Sequence, residues 1–185
     1  DDISILDKCV NLRALDMTKW KYLDIRDATT IGKCVNLHTL RIAEVTILHD
    51  MTQLGGCINL YDLCISSCVY LTNISGLNKC VNLHKLDLSN CASLEDISAL
   101  SECKNLRVLD LSGCESLEDI SMLSECENLR VLDLAKSDNI DDISVLSKCG
   151  KLQCLNLSHT VDLEDMYIIG KCINLHTLII HDVSK

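Results

Sequence analysis

Cysteine is the residue type in this sequence with the widest chemical repertoire. The chain has 13 cysteines among 185 residues, and seven of them recur at intervals of 23 residues: Cys34, Cys57, Cys80, Cys103, Cys126, Cys149 and Cys172. Regularly spaced cysteines can form disulfides, ligate a metal ion or supply a nucleophilic thiolate. Each of these chemistries needs a particular arrangement, so the spacing can be tested against all three.

The spacing does not suit a metal or a catalytic thiol. Structural zinc sites commonly use Cys-x-x-Cys pairs, and none occurs here. Cys64 and Cys68 come closest, but we expect them to face opposite sides of a strand edge. A catalytic thiol would need a nearby histidine, which the pattern does not place. We therefore expect no metal site and no cofactor.

The pattern favours free thiols over a disulfide scaffold. The number of cysteines is odd, and equivalent side chains on stacked coils are roughly 4.7 to 4.9 Å apart and parallel. A disulfide prefers a Cβ separation of about 3.8 Å. We expect buried thiols that act as small apolar side chains. Cys64 and Cys154 are the exceptions, because their positions predict exposure and faster reaction with thiol reagents.

The residues after each cysteine repeat as well. The chain has CVNLHKLDL at 80–88, CKNLRVLDL at 103–111 and CENLRVLDL at 126–134. This pattern resembles the leucine-rich repeat family over all 185 residues. The resemblance implies an α/β solenoid shaped as an arc, with eight short parallel strands on its concave face. It also implies short 3₁₀ or irregular turns on the convex face, in about eight repeats that form a single domain, 1–185.

One repeat predicts the elements of all the others. Leu83, Leu86 and Leu88 alternate as in a strand, and Asp96 and Ser98 open a short convex turn before Leu100. The strands are predicted at Leu15, Leu40, Leu63, Leu86, Leu109, Leu132, Leu155 and Leu178. Two extra residues within Leu23 to Thr30 predict a local bulge. Repeats one, two and eight are the least regular.

Within the family, different segments resemble different classes. The two cysteines of CKNLRVLDLSGC (103–114) resemble the cysteine-containing repeats of F-box-type adaptors, whereas DISALSEC (96–103) is similar to the short repeats of phosphatase regulators and internalins. The phrase LSGCESLEDISML (111–123) resembles leucine-rich repeat proteins of trypanosomatid parasites. The subclass is therefore mixed.

The composition restricts the kinds of partner that the protein can bind. The formal charge of −10 opposes binding of nucleic-acid phosphates and suits either solubility or a basic protein partner. No apolar run is long enough to span a membrane. We expect an intracellular protein, cytoplasmic or nuclear, because the cysteines are unpaired. The chain begins inside a repeat without an initiator methionine, so we expect it to be part of a longer protein.

The concave face is the predicted working surface, because outward strand residues of a solenoid form an extended binding face. Asp87, Asp110 and Asp133 should line up on neighbouring strands, and we expect Arg107 and Arg130 to pair with the last two. Val108 and Val131 form the best small apolar spot. The predicted partner site comprises His84, Lys85, Asp87, Arg107, Val108, Asp110, Arg130, Val131 and Asp133.

A second acidic series recurs on the loops that leave the strands: Glu95-Asp96, Glu118-Asp119, Asp141-Asp142 and Glu164-Asp165. The second member of each pair precedes a convex turn, where a carboxylate can accept backbone N–H bonds. Capping of the turn is favoured over binding of calcium or of a basic partner.

The resemblance implies a non-catalytic protein-interaction scaffold. The sequence has no catalytic triad spacing and no phosphate-binding glycine loop. Two alternatives stay open: a substrate-recognition adaptor of a ubiquitin ligase, and the ectodomain of an extracellular or surface receptor. Both depend on flanking segments. The terminal repeats expose apolar edges, which also predicts end-to-end self-association.

Overall fold

The strands form one parallel sheet. A computed structural model describes residues 3–20, 25–45, 47–160 and 166–181. The sheet contains β1 (Ala14–Asp16), β2 (Thr39–Arg41), β3 (Asp62–Cys64), β4 (Lys85–Asp87), β5 (Val108–Asp110), β6 (Val131–Asp133), β7 (Cys154–Asn156) and β8 (Thr177–Ile179). They follow one another in chain order, and each middle leucine pairs with the next, as Leu86 does with Leu109. The predicted eight-stranded solenoid is confirmed. We number each coil by its strand.

Each strand is three residues long because the chain turns directly after it. A residue with positive φ, in the left-handed region, follows every strand from β1 to β7: Lys19, Glu44, Ser67, Asn90, Gly113, Lys136 and His159. Only one of these is glycine, although a side chain at positive φ is unfavourable. The sheet therefore holds the other six in this conformation.

The convex side consists mainly of 3₁₀ helices, as predicted. They span Ser4–Lys8, Thr52–Gly56, Ser75–Lys79, Ser98–Glu102, Ser121–Glu125, Ser144–Lys148 and Met166–Lys171. The residue two positions before each of three helices accepts a hydrogen bond: Oδ1 of Asp96, Asp119 and Asp142 takes the N–H of Ser98, Ser121 and Ser144 at 2.7 Å. The capping interpretation is confirmed for these three; Asp165 lies outside the described residues.

Coil 2 differs from the others on its convex side. An α-helix, α1 (Ile25–Gly32), takes the place of the 3₁₀ helix there. The bulge predicted within Leu23 to Thr30 is therefore a wider helix from Ile25 onward, while residues 21–24 lie outside the described residues. Because an α-helix takes up more residues per turn than a 3₁₀ helix, it accommodates the two extra residues.

The core is a single column of leucine, isoleucine and cysteine that runs from Ile3 to Cys172. The buried thiols also donate hydrogen bonds to carbonyls of the preceding coil. Sγ of Cys91 lies 3.0 Å from the oxygen of Ile65, and Sγ of Cys57 lies 3.2 Å from that of Ile31. In coil 6 the hydroxyl of Ser137 makes the equivalent bond to Leu111 at 2.8 Å. The cysteine ladder thus fills the core and satisfies buried carbonyls.

Burial keeps these thiols protonated. It raises the pKa of Cys57, Cys103 and Cys126 to about 12, because a thiolate loses its hydration in the core. All thirteen cysteines lie within the described residues, and none of them forms a disulfide there. A protonated thiol is a donor and a poor nucleophile, so the ladder is structural.

Candidate interaction surface

The predicted partner site lies on three neighbouring strands. Val108 and Val131 pair in register at the start of β5 and β6, and both are half-buried. Arg107 and Arg130 precede them and are exposed. Coil 4 adds an exposed Lys85 beside a half-buried His84. The sequence-predicted residues of coils 4 to 6 are therefore brought together, with arginines beside a small apolar centre.

The aspartates of this site form a column, as predicted. Asp87 pairs with Asp110, and Asp110 pairs with Asp133, through adjacent parallel strands. Carboxylates in this arrangement repel one another unless hydrogen bonds or counter-charges offset them. The predicted ion pairs from Arg107 and Arg130 are wrong, because the single ion pair among the described residues joins Lys19 to Glu44.

Local hydrogen bonds stabilise the column instead. Oδ1 of each aspartate accepts the backbone N–H two residues later, from Ser89, Ser112 and Ala135, at 2.9 Å. The hydroxyls of Ser89 and Ser112 donate to the same oxygens at 2.6 Å. Such a bond orders only one short side chain, whereas an exposed arginine pair must order two. The three aspartates therefore hold the turn after each strand.

Donors from coils 3 and 7 complete the two ends of the column. Sγ of Cys64 donates to Oδ2 of Asp87 at 3.3 Å, and Nδ2 of Asn156 donates to Oδ2 of Asp133 at 2.9 Å. Asp110 has a carboxylate on each side. Burial raises the pKa of Asp110, the charges of Asp133 and Asp87 raise it further, and the bonds from Ser112 oppose the rise. Asp110 is thus the aspartate of the column whose ionised form has the least favourable surroundings.

Cys64 is buried, contrary to the prediction from its repeat position. We expected it to be exposed, but only 7% of it is accessible, and burial raises the pKa of its thiol. Ser66 and Asp87 lie within hydrogen-bond distance of its sulfur. Cys154 is half-buried, and so is Cys9 in the first coil. Accessibility at this column therefore depends on the neighbouring side chains, which the repeat position alone does not reveal.

The sequence reasoning missed one exposed feature. The residue after the cysteine is aliphatic and exposed in coils 1 to 4 and in coil 8, where it is Val10, Val35, Ile58, Val81 and Ile173. The recurrence of this residue at the repeat period could have revealed the feature. Valine and isoleucine inside a repeat are, however, normally assigned to the buried core. In the adjacent column, the rings of Tyr61 and His84 stack with centroids 4.2 Å apart.

Two further features limit the chemistry of the described chain. Within residues 3–20, 25–45, 47–160 and 166–181, no three His, Cys, Asp or Glu side chains come together as metal ligands. In the same ranges, no helix has the length and hydropathy that crossing a bilayer requires. What the arrangement offers is an extended surface of strand and turn side chains.

Comparison with known proteins agrees with the fold. A family model described as the Endo-beta-N-acetylglucosaminidase EndoS LRR domain matches residues 63–147. A search of curated proteins finds no match.

Two solved structures from Listeria monocytogenes share the fold. An internalin (inlF) superposes with a TM-score of 0.66 at 22% identity, over 100% of this chain and 60% of that one. An internalin C2 (inlC2) gives 0.61 at 22% identity, over 95% and 82%. This chain thus spans less than two thirds of the first internalin. The repeat period, the strand register and these matches agree that the chain has the leucine-rich repeat fold.

Proposed function

We propose that the protein is a non-catalytic scaffold that binds a partner protein on the concave face of coils 4 to 6. The observation that supports this most is the pairing of Val108 with Val131 beside the exposed Arg107 and Arg130. Arginine beside a partly desolvated apolar centre is the composition typical of binding hot spots. The leucine-rich repeat fold is one that interaction scaffolds use, which agrees with this role.

The three aspartates contribute to this site indirectly. Their oxygens are engaged by the turns, so they position the strands and leave the arginines and Lys85 as the exposed charges. The proposal that the partner is basic therefore depends on acidic residues outside the strands, such as Glu95, Glu118 and Asp141, which are exposed on the outgoing loops.

The remaining predictions depend on segments or conditions that the repeats do not determine. A ubiquitin-ligase adaptor and a receptor ectodomain both require flanking segments. An intracellular location is supported by the free thiols, since reducing compartments keep cysteines unpaired. End-to-end association through the terminal coils also remains a prediction.

The proposal is tested by measuring affinity with matched variants. A partner is captured from a lysate of the source cells, produced recombinantly, and titrated against the wild type by calorimetry. We expect R107E/R130E to weaken Kd by about tenfold or more, and the near-isosteric V108T/V131T to weaken it less. K148E, on the convex side, is the control and should match the wild type. An unchanged Kd for both concave variants would refute this placement.

A further inference from the structure

A second surface lies at the edge of the sheet where the strands begin. In coils 2 to 4 the residue after the cysteine, at the tip of a turn, is aliphatic: Val35, Ile58 and Val81 are 45%, 50% and 46% exposed. Three residues later, directly before the strand, stand His38, Tyr61 and His84. By chain reach, the two residues in each coil are within about 10 Å of each other. We call these six residues the edge patch.

The backbone under the edge patch is fixed. The side-chain amide of an asparagine in each coil donates to the carbonyl of the aliphatic residue one coil earlier: Asn59 to Val35 at 2.9 Å, Asn82 to Ile58 at 3.1 Å. Each turn is closed by a backbone bond, such as that from the N–H of Leu60 to the carbonyl of Cys57 at 3.0 Å. The exposed aliphatic side chains thus project from a backbone that hydrogen bonds hold within and between the coils.

The rings are held as well. Nδ1 of His38 lies 2.8 Å from the carbonyl of Asn36, and Nδ1 of His84 lies 2.7 Å from that of Asn82. Because a carbonyl only accepts, Nδ1 is the donor in both contacts, which fixes the orientation of each ring. Tyr61 stacks on His84 with 19° between the ring planes. A surface whose side chains are already ordered binds at a lower entropic cost.

The edge patch has defined ends. In coils 5 to 7 the position of the aliphatic residue is occupied by Lys104, Glu127 and Gly150. The aromatic column likewise changes to Arg107 and Arg130 in coils 5 and 6. The continuous patch therefore covers three neighbouring coils, with Val10 extending its aliphatic row into coil 1, and the same pair recurs separately in coil 8 as Ile173 and His176.

Charge distinguishes this region from the rest of the chain. Residues 94–185 contain 17 acidic and eight basic residues, whereas residues 1–93 contain ten and nine. The residue before the cysteine is lysine in coils 1, 2, 4, 7 and 8 and glutamate in coils 5 and 6: Lys8, Lys33, Lys79, Lys148 and Lys171, against Glu102 and Glu125. Lys79 and Lys85 are exposed, and the one ion pair among the described residues involves neither. The edge patch thus lies in the less acidic half of the chain, with the exposed Lys79 and Lys85 beside it.

We infer that the edge patch of coils 2 to 4 is a docking surface for an acidic segment of another protein that carries aliphatic or aromatic anchors. The anchors pack on Ile58 and Tyr61, and the carboxylates face Lys79 and Lys85. Rigid aromatic and aliphatic residues with a charged rim are the composition of a hot spot, and charge complementarity selects the partner. This surface shares His84 and Lys85 with the site proposed on coils 4 to 6 and extends from there into coils 2 and 3.

The test is selection from a phage-displayed library of random peptides on the immobilised protein. Enriched peptides should combine Asp or Glu with Leu, Ile, Phe or Trp. A synthetic copy of the strongest peptide should lose about tenfold or more in Kd with I58S/Y61S and also weaken with K79E/K85E. An amidated Asn/Gln version of that peptide should bind less tightly than the acidic one.

The controls separate this inference from the proposed function. Y70S removes a comparably exposed aromatic residue outside the patch, and R107E/R130E alters the site on coils 4 to 6. Peptide affinity should be unchanged in Y70S. Four results would overturn the inference: no enrichment, enrichment of Lys/Arg-rich peptides, equal binding to I58S/Y61S, or sedimentation showing that a second copy of the chain covers the patch. Loss of peptide binding only in R107E/R130E would also overturn it and would leave the concave-face proposal standing.

Discussion

Nδ2 of Asn156 donates a hydrogen bond to Oδ2 of Asp133 across the β6–β7 pair, at 2.9 Å. Oδ1 of the same Asn156 accepts the N–H of Ser158, as the aspartates of the column do for their own turns. The amide of Asn156 thus holds its own turn and also donates to the last carboxylate of the column, where another aspartate would repel it. Asp110, in the middle, can do only the first of these when it is ionised.

Asp110→Asn should therefore stabilise the protein. The new amide can keep the bonds from Ser112 through its oxygen and can donate to a neighbouring carboxylate through its nitrogen, as Asn156 does. At neutral pH we expect the free energy of unfolding to rise by about 1 kcal/mol, measured by urea denaturation. A loss of stability at neutral pH would contradict this account of the column.

The pH dependence of Asp110→Asn has a defined sign. Because the pKa of Asp110 is raised in the folded state, its contribution to stability is present below its ordinary value of 3.8 and is lost as pH rises through the folded pKa. The advantage of the variant should thus shrink as pH falls toward about 4. Asp119 is the control, because its pKa is lowered by the N–H of Ser121. Asp119→Asn should be less stable than the wild type at neutral pH, with a deficit that shrinks on acidification.

Gly56→Ala should destabilise the convex side. A Cβ at Gly56 would overlap the carbonyl oxygen of Gly32 in the neighbouring coil, and backbone atoms cannot move aside as a flexible side chain can. We expect a loss of about 2 to 3 kcal/mol, as for overpacking in a core. Gly150→Ala is the matched control, since nothing lies within 4 Å of its added Cβ. Thermal unfolding of both variants decides this, and equal melting temperatures would contradict it.

The cysteine ladder should contribute to stability through its hydrogen-bond donors as well as through its packing. The Sγ of Cys91 makes the one hydrogen bond described for the carbonyl of Ile65, and Ser137 makes the equivalent bond in coil 6. Cys91→Ser should then be more stable than Cys91→Ala by about 1 kcal/mol, although alanine is the less polar residue. If the alanine variant proves the more stable of the two, the thiols act only as apolar filling.

Thiol reactivity should separate the cysteines into two groups. In the native protein Cys154 and Cys9 are the partly exposed thiols and should react with iodoacetamide first. Cys80, Cys103 and Cys149 should react only when the chain unfolds, because burial raises the pKa of each to between about 11 and about 12. Peptide mapping by mass spectrometry gives the order. Labelling of Cys103 as fast as Cys154 would refute it.

The sequence predicted the strands because a leucine that recurs at one period can be buried in only one register, as Leu86, Leu109 and Leu132 are. It did not predict the partners of Asp110, since a backbone N–H two residues away competes with an arginine at lower entropic cost. Exposure of Cys64 depends on Asp87 from the next coil. The exposure of Ile58 depends on turn geometry, which hydrophobic periodicity does not report.

A protein partner is proposed to bind the concave face of coils 4 to 6, at Arg107 and Arg130. Arginine modification by phenylglyoxal, mapped by mass spectrometry with and without the captured partner, tests it most directly. Arg107 and Arg130 are exposed in the free chain, and so is Arg41 on β2, outside the proposed site. If the partner binds there, it should protect Arg107 and Arg130 and leave Arg41 reactive. Protection of Arg41 with Arg107 and Arg130 still modified at the free rate would contradict it.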